Sequence, residues 1–332
     1  MTNLYPLKFE PIIKERVWGG TRLVSHYNKK GLPETNIGES WELSAIRNDK
    51  SVVSNGFLEG STIEEIIEVY MGDLVGDSVY EKFGAEFPLL IKLIDAQDFL
   101  SIQVHPDDEL ARKRHNSYGK TELWYVVEST PNAVVYSGFK KDTNMEEFTD
   151  LLKSGNLKEV LVSEKPEPGD VFFIPSGRVH SMGGGVLVAE IQQTSDVTYR
   201  IFDWERKGPD GVQRELHTDL AIDAIDFKGV QSNRIKPEKS NNAPVVLVEN
   251  RYFNSSIIEV TRKLERDYSF TDSFVILLCT AGSYKLSSND FSDKVGKGET
   301  VLIPALIDTV SIEPDISATI LEVYIDINRN NK

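Results

Sequence analysis

Gln103 and His105, in the run Ser101-Ile102-Gln103-Val104-His105-Pro106-Asp107-Asp108, are the first side chains whose spacing could do chemistry. A strand sends alternate residues to opposite faces, so Ser101, Gln103 and His105 share one face while Ile102 and Val104 pack on the other. Taken alone, the octapeptide reads either as one wall of a metal pocket or as a half-exposed strand whose amide and imidazole meet water. Lys120 and Glu122, at i and i+2 where the run from Gly119 to Val127 begins, share a face by the same rule, and His180 closes the turn Ser176-Gly177-Arg178-Val179-His180. Two imidazoles, a carboxylate and an amide oxygen form a mixed nitrogen and oxygen set that suits Zn²⁺ or, less selectively, Mn²⁺, Fe²⁺ or Co²⁺. No thiolate closes the set, so a coordination position stays open for water or substrate, as a catalytic site requires.

The elements that must position these residues are mostly short strands. Phe87 to Ala96 is an apolar strand with one intruder, Lys92, which lies on an exposed edge, snorkels, or points into a polar cavity. Trp18-Gly19-Gly20 and Gly38-Glu39-Ser40-Trp41-Glu42 are strand-and-turn material, and Glu42 reads as a solvated strand carboxylate before it reads as a site residue. Ser61-Thr62-Ile63-Glu64 predicts a capping box opening an amphipathic helix through Tyr70, Asp107 and Asp108 cap a helix over 109–114, and Thr143-Asn144-Met145-Glu146 begins another that ends near Gly155. A further helix is expected over 216–225. The polar stretch before Pro244 reads as a linker, and 245–327 as short strands joined by turns.

Gly169-Asp170-Val171-Phe172-Phe173-Ile174-Pro175 recurs as Gly298-Glu299-Thr300-Val301-Leu302-Ile303-Pro304. Each copy is followed by a further strand, Val186 to Ile191 in one case and Ala318 to Val323 in the other. A repeated turn, strand and proline in an all-β setting points to two related β-barrels. Five residues after Pro175 stands His180, whereas five after Pro304 stands Thr309, so only the first barrel is equipped with ligands. The expected partition is a catalytic domain over 1–230 with helical insertions, a linker over 231–244, and a second barrel over 245–332. His26, His115 and His217 fall in helix- and loop-like places where a surface role is the ordinary account.

The chain has 332 residues and a formal net charge of −15, which argues against nucleic acid and anionic membrane as partners. An anionic substrate would therefore need basic residues gathered locally against the global field. No apolar run reaches membrane-spanning length, the first residues lack a signal-peptide pattern, and the only cysteine is Cys279, so a cytoplasmic protein without disulfides is expected. The oligomeric state is left open, a monomer being compatible with the sequence.

At these residues the sequence resembles the type I mannose-6-phosphate isomerases (phosphomannose isomerases), two-barrel proteins of the cupin superfamily. The resemblance runs through Trp18-Gly19-Gly20, Gly38 to Glu42, Ser101 to Pro106, Lys120-Thr121-Glu122-Leu123-Trp124-Tyr125, Pro175 to His180 and Glu190 to Arg200. By length the chain is similar to the short bacterial form. The resemblance implies a mainly β fold of two cupin-like jelly-roll barrels and one Zn²⁺ held by Gln103, His105, Glu122 and His180. It further implies Arg200 and Asp196 as catalytic residues, and Ser101, Lys92 and Lys120 as contacts to a small sugar phosphate. One departure stands out: where longer members follow the arginine with a small-residue turn and a lysine, this chain has Ile201-Phe202-Asp203-Trp204 and then Arg206.

The activity implied is interconversion of mannose 6-phosphate and fructose 6-phosphate through a cis-enediol. A Lewis acid and Arg200 would stabilise the negative charge that builds on oxygen as the C2 proton leaves. Asp196, Glu42 or a metal-bound hydroxide could carry that proton to C1, and Lys92, Lys120, Ser101 and Arg200 would gather positive charge for the phosphate. The competing readings on the same scaffold are a sugar-phosphate isomerase of other specificity, an Fe-dependent oxygenase, and a non-enzymatic sugar-binding barrel.

Overall fold

The computed structural model describes residues 4–30, 36–208, 211–238 and 240–327, almost entirely as antiparallel strands with a few short helices. The chain divides into two compact units: Met1–Ile12, Trp41–Ile91 and Pro237–Lys332 form one, and Ile13–Ser40 with Lys92–Lys236 form the other. The sequential partition at 231–244 expected from composition differs from this division. Residues 41–91, early in the chain, group with its C-terminal third, and Arg234–Ile235 inside the expected linker pairs with Val171 and Phe172. Composition detects polar stretches but carries no record of which distant strands pair.

The second of these units holds every expected ligand. One of its sheets runs in the order Leu161–Glu164, Val134–Phe139, His180–Gly183, Ile102–Val104, Tyr199–Phe202. Another contains, side by side, Arg234–Ile235, Val171–Ile174, Glu122–Ser129 and Val186–Gln193. Trp124, Val126, Phe172, Val188 and Ile94 join Val135 and Met182 in one buried cluster drawn from both sheets. Because side chains alternate along a strand, Glu122 faces the same way as Trp124 and Val126, Glu190 and Gln192 the same way as Val188, and His180 the same way as Met182. The inward surface is thus apolar at one end and polar at the other. The helices Met145–Lys153 and Thr218–Ile222 contribute Phe148 and Ala221 to a second cluster containing Ile102, Val104, Tyr199 and Ile201, the outward face of the five-stranded sheet.

The first unit is built on a sheet ordered Leu7–Lys8, Thr300–Ile303, Val275–Ser288, Thr309–Tyr324, Asn254–Val260, Pro244–Glu249. Its core includes Leu277, Cys279, Tyr284 and Ile320, and burial pushes the Cys279 thiol up to about 12, which leaves it inert as a nucleophile. The capping box of its helix Ile63–Tyr70 uses Thr62 and Glu65, one residue later than the Ser61–Glu64 pair read from sequence. Both pairs satisfy the spacing, but only Thr62 precedes the apolar face Ile63, Ile66, Ile67 by the right amount. The other helices begin close to their expected caps, Asp107 and Asn144, while the one expected over 216–225 is shorter, Thr218–Ile222. No helix of the described residues is long and apolar enough to cross a membrane.

One ion pair ties the Trp18-Gly19-Gly20 segment to the Leu89–Ala96 strand. Asp95, fully buried, accepts from the Arg22 backbone N–H (2.8 Å) and Nε (2.9 Å), and also from Nη2 (2.5 Å). A Cβ on Gly20 would lie 2.4 Å from Asp95 Oδ2, so the approach requires glycine. Asp95→Ala leaves Arg22 only the Gly185 carbonyl (3.2 Å) and the more distant Glu128 (3.8 Å) and is expected to cost about 3 kcal/mol of unfolding free energy. Urea unfolding checks this, and a loss below about 1 kcal/mol would show that Glu128, Gly185 and water suffice for Arg22.

Candidate metal centre

Register brings the ligand types together. Glu122 lies opposite Ile174 on one neighbouring strand and Gln192 on the other. In the five-stranded sheet Gln103 lies opposite His180 on one side and Arg200 on the other. Directly opposed residues share a face, so the three form a row. Between the two sheets, His180 Nε2 stands 3.2 Å from Glu122 Oε1 and His105 Nε2 stands 3.5 Å from Glu122 Oε2. His105, Glu122 and His180 each offer one ligand atom, and these atoms lie within 4.8 Å of one another. All three residues are buried.

The histidine tautomers follow from their partners. A carbonyl only accepts, so His105 Nδ1, 3.0 Å from the Val197 carbonyl, and His180 Nδ1, 2.8 Å from the Arg178 carbonyl, must carry the ring protons. In the neutral ring this leaves both Nε2 lone pairs facing Glu122, the arrangement that orients histidine toward an ion. Burial holds both rings neutral: His105 is driven well below the ordinary imidazole value and His180 down to about 3. Trp124 packs edge-on against His180, with centroids 5.3 Å apart.

Glu122 is raised to about 7 because burial penalises its charge, an effect that Lys120 opposes. Lys120 Nζ stands 3.1 Å from Glu122 Oε2 and 3.2 Å from His105 Nε2. Its own value is raised, because Glu122 and then Glu190 outweigh the lowering effect of burial. Despite these ionic contacts, neither oxygen of Glu122 has a hydrogen-bond partner of adequate geometry among the described residues. A buried carboxylate whose oxygens are not fully satisfied, facing two imidazole lone pairs, fits a divalent cation.

The remaining expected residues fall at varying distances from this group. Gln103 Nε2 donates toward His180 Nε2 (3.3 Å) and its Oε1 accepts from Ser101 Oγ (3.3 Å), so the amide oxygen is turned toward Ser101. Lys92 takes the cavity alternative: it is buried and donates to Glu190 Oε1 (2.9 Å) and Gln192 Oε1 (2.7 Å). Arg200 is half-buried, with Nη1 donating to the Glu215 carbonyl (2.8 Å), and Asp196 is exposed on the loop before it. Glu42 is buried rather than solvated, because its strand, Ile37–Leu43, is covered on both faces.

Glu190 was not singled out from the residues. It accepts from Lys92 and from Trp124 Nε1 (2.7 Å) and, although burial opposes its charge, Lys92 and Lys120 hold it down to about 2. The signal was present: a lysine intruding in one apolar strand calls for an opposite charge in another, and Glu190 is the acid within Val186–Gln193.

Among known proteins, residues 6–132 match the family model described as the catalytic domain of phosphomannose isomerase type I. The mannose-6-phosphate isomerase ManA of Bacillus subtilis is 35% identical over 305 residues, spanning 90% of this chain and 93% of that one. The mannose-6-phosphate isomerase of Streptococcus mutans is 30% identical, over 94% of this chain and 96% of that one. The crystal structure of a Bacillus subtilis mannose 6-phosphate isomerase superposes with a TM-score of 0.86 at 31% identity, over 96% and 99% of the two chains. The architecture and the buried ligand group define a cupin-type β protein with a candidate metal centre. Within that class, the chain belongs to the type I phosphomannose isomerase family.

The Lys92–Glu190 pair has a pH signature. A carboxylate whose folded pKa is depressed contributes stability above its unfolded value of 4.5 and loses it as pH falls toward about 2. The thermal midpoint is expected to drop across that window, and Glu190→Gln to flatten the drop. An unchanged slope in the variant would remove the pair from the account.

Proposed function

We propose that the protein interconverts D-mannose 6-phosphate and D-fructose 6-phosphate, using one Zn²⁺ per chain held by His105, Glu122 and His180, with Gln103 completing the set when its amide turns its oxygen inward. The observation that carries this reading is the pair of imidazoles with Nδ1 fixed on backbone carbonyls and Nε2 aimed at a buried carboxylate that has no hydrogen-bond partner of adequate geometry among the described residues. The ion would supply Lewis acidity at the sugar oxygens. Substrate identity rests on the family and on the similarity to ManA along nearly the whole chain.

The protein's own residues carry the remaining tasks. Lys120 and Ser101 take the role of orienting the sugar hydroxyls, a reading supported by their contacts to His105 and Gln103. Lys92 is held by Glu190 and Gln192, which favours a role in keeping the wall charged and rigid. Arg200, opposite Gln103, stabilises negative charge as it develops on the enediol oxygens. Asp196 is the proton carrier we assign. Glu190, held near 2 by its lysine partners, is too weak a base for work near neutrality.

The other compact unit, built on the sheet that contains Val275–Ser288, is in this reading a cupin-like barrel without ligands. Ile303 and Tyr324 lie opposite Val275 as Ile174 and Gln192 lie opposite Glu122, so a valine fills the carboxylate's position. A cytoplasmic location accords with a single buried thiol.

A coupled assay for fructose 6-phosphate, before and after chelation and after metal return, tests the whole; no turnover with metal restored would sink it. His180→Ala is expected to lose bound metal and activity together. Arg200→Ala should retain metal while kcat falls by about 10²-fold or more, and near-normal turnover would remove Arg200 from the chemistry.

A further inference from the structure

Arg206 and Arg214 each lie one residue outside an antiparallel bridge. Lys207 pairs with Gln213 in antiparallel register, and the Gly208 N–H donates to the Val212 carbonyl (2.8 Å). Continuing that register outward sets the two arginines opposite each other, where like charges repel. What holds them is Asp203, whose buried carboxylate accepts from Arg214 Nε (2.7 Å) and Nη2 and from Arg206 Nη2 (2.6 Å).

A third guanidinium, that of Arg200, stands close enough for Arg214 and Arg206 to add to the lowering that burial imposes on it. The Nε atoms of Arg200 and Arg206 are buried and lack hydrogen-bond partners among the described residues. One buried carboxylate therefore braces two cations next to a third, in a chain whose net charge is −15. Asp98, 3.4 Å from Arg206 Nη1, is exposed to water and offsets little.

The backbone is held in an unfavourable shape to present this group. Trp204 and Glu205, neither of them glycine, adopt φ of 56° and 55°. Trp204 secures the turn by donating from Nε1 to the Leu100 carbonyl (2.7 Å) and packing on Phe99, with centroids 5.0 Å apart. The irregular step between Arg200 and Phe202 sets Arg200 opposite Gln103 and Phe202 opposite Ile102. Asp203 follows directly on the end of this strand. Arg200, opposite Gln103, joins the arginine group to the strand that carries that residue; Lys92 and Lys120 each face a carboxylate of their own, Glu190 and Glu122, whereas Arg206 and Arg214 share the single carboxylate of Asp203.

We propose that Arg206 and Arg214, braced by Asp203 beside Arg200, form an anion subsite that takes the phosphate group of a sugar phosphate whose other end reaches the His105–Glu122–His180 group. The ligand's identity rests on the isomerase reading; the binding of phosphate does not. Paired guanidinium forks suit a tetrahedral oxyanion better than single ammonium charges do.

The test titrates inorganic phosphate into the metal-loaded protein, Arg206→Gln and Arg214→Gln by calorimetry, with mannose 6-phosphate kinetics alongside. Phosphate is expected to bind the unaltered protein and to compete with substrate. Each variant should weaken phosphate about tenfold or more and raise KM by a similar factor, with kcat and metal content little changed. Phosphate affinity within about twofold of the original in both variants overturns the subsite, as does a comparable loss caused by Lys92→Gln instead. If either glutamine variant fails to fold, Arg214→Lys keeps the charge against Asp203 and decides the matter: weakened phosphate supports the fork, and undiminished affinity overturns it. Phosphate held by these arginines in a protein that does not turn over mannose 6-phosphate would end the isomerase reading and leave the subsite standing.

Discussion

A carboxylate sealed between two sheets, with imidazole lone pairs in front of it and, among the described residues, only the Lys120 ammonium beside it, is the constraint on which the rest of the structure depends. Burying Glu122 costs free energy that neither Lys120 nor the surrounding dipoles fully return, as its upward shift to about 7 records. The fold tolerates that cost because the inward surface changes character along the strands. Val126, Val188 and Met182 supply an apolar core, and the same strands then present Glu122, Gln192 and His180 within a few residues. Stability and chemistry are drawn from opposite ends of one surface.

Backbone carbonyls do much of the positioning. Val197 and Arg178 each fix one histidine ring, so the centre is oriented by main chain that side-chain substitution cannot easily remove. Gln192 extends the arrangement: its amide nitrogen donates to the Gln193 (2.9 Å) and Ser195 (2.6 Å) carbonyls while its oxygen accepts from Lys92. The loop that leads to Val197 and Asp196 is thereby tied to the buried Lys92–Glu190 pair, which links the electrostatics of the wall to the orientation of His105.

Strand periodicity made much of this legible in the sequence. Alternation placed Gln103 with His105 on one face, and the opposed register with His180 agrees with it. The repeat ending at Pro175 and Pro304 located the His180 turn and the strand that pairs with the Val275 run. Long-range pairing hid the rest. Nothing local told that Glu42 is covered on both faces, that residues 41–91 group with the C-terminal third, or that Glu190 is the counter-charge of Lys92. The Thr62 cap was missed by one residue because Ser61 and Thr62 both have an acid three positions on. Arg214 carried no signal at all, since its meaning comes from a hairpin partner and from Asp203 eleven residues upstream.

Val275, standing where the repeat would otherwise carry an acid, has a consequence for how the molecule responds to chelators. An apolar plug needs no cation to neutralise it, so withdrawal of the ion should be felt only among the strands that surround His105 and His180. Under the proposed metal reading, one half of the chain would answer to trace-element supply while its counterpart stayed indifferent to it.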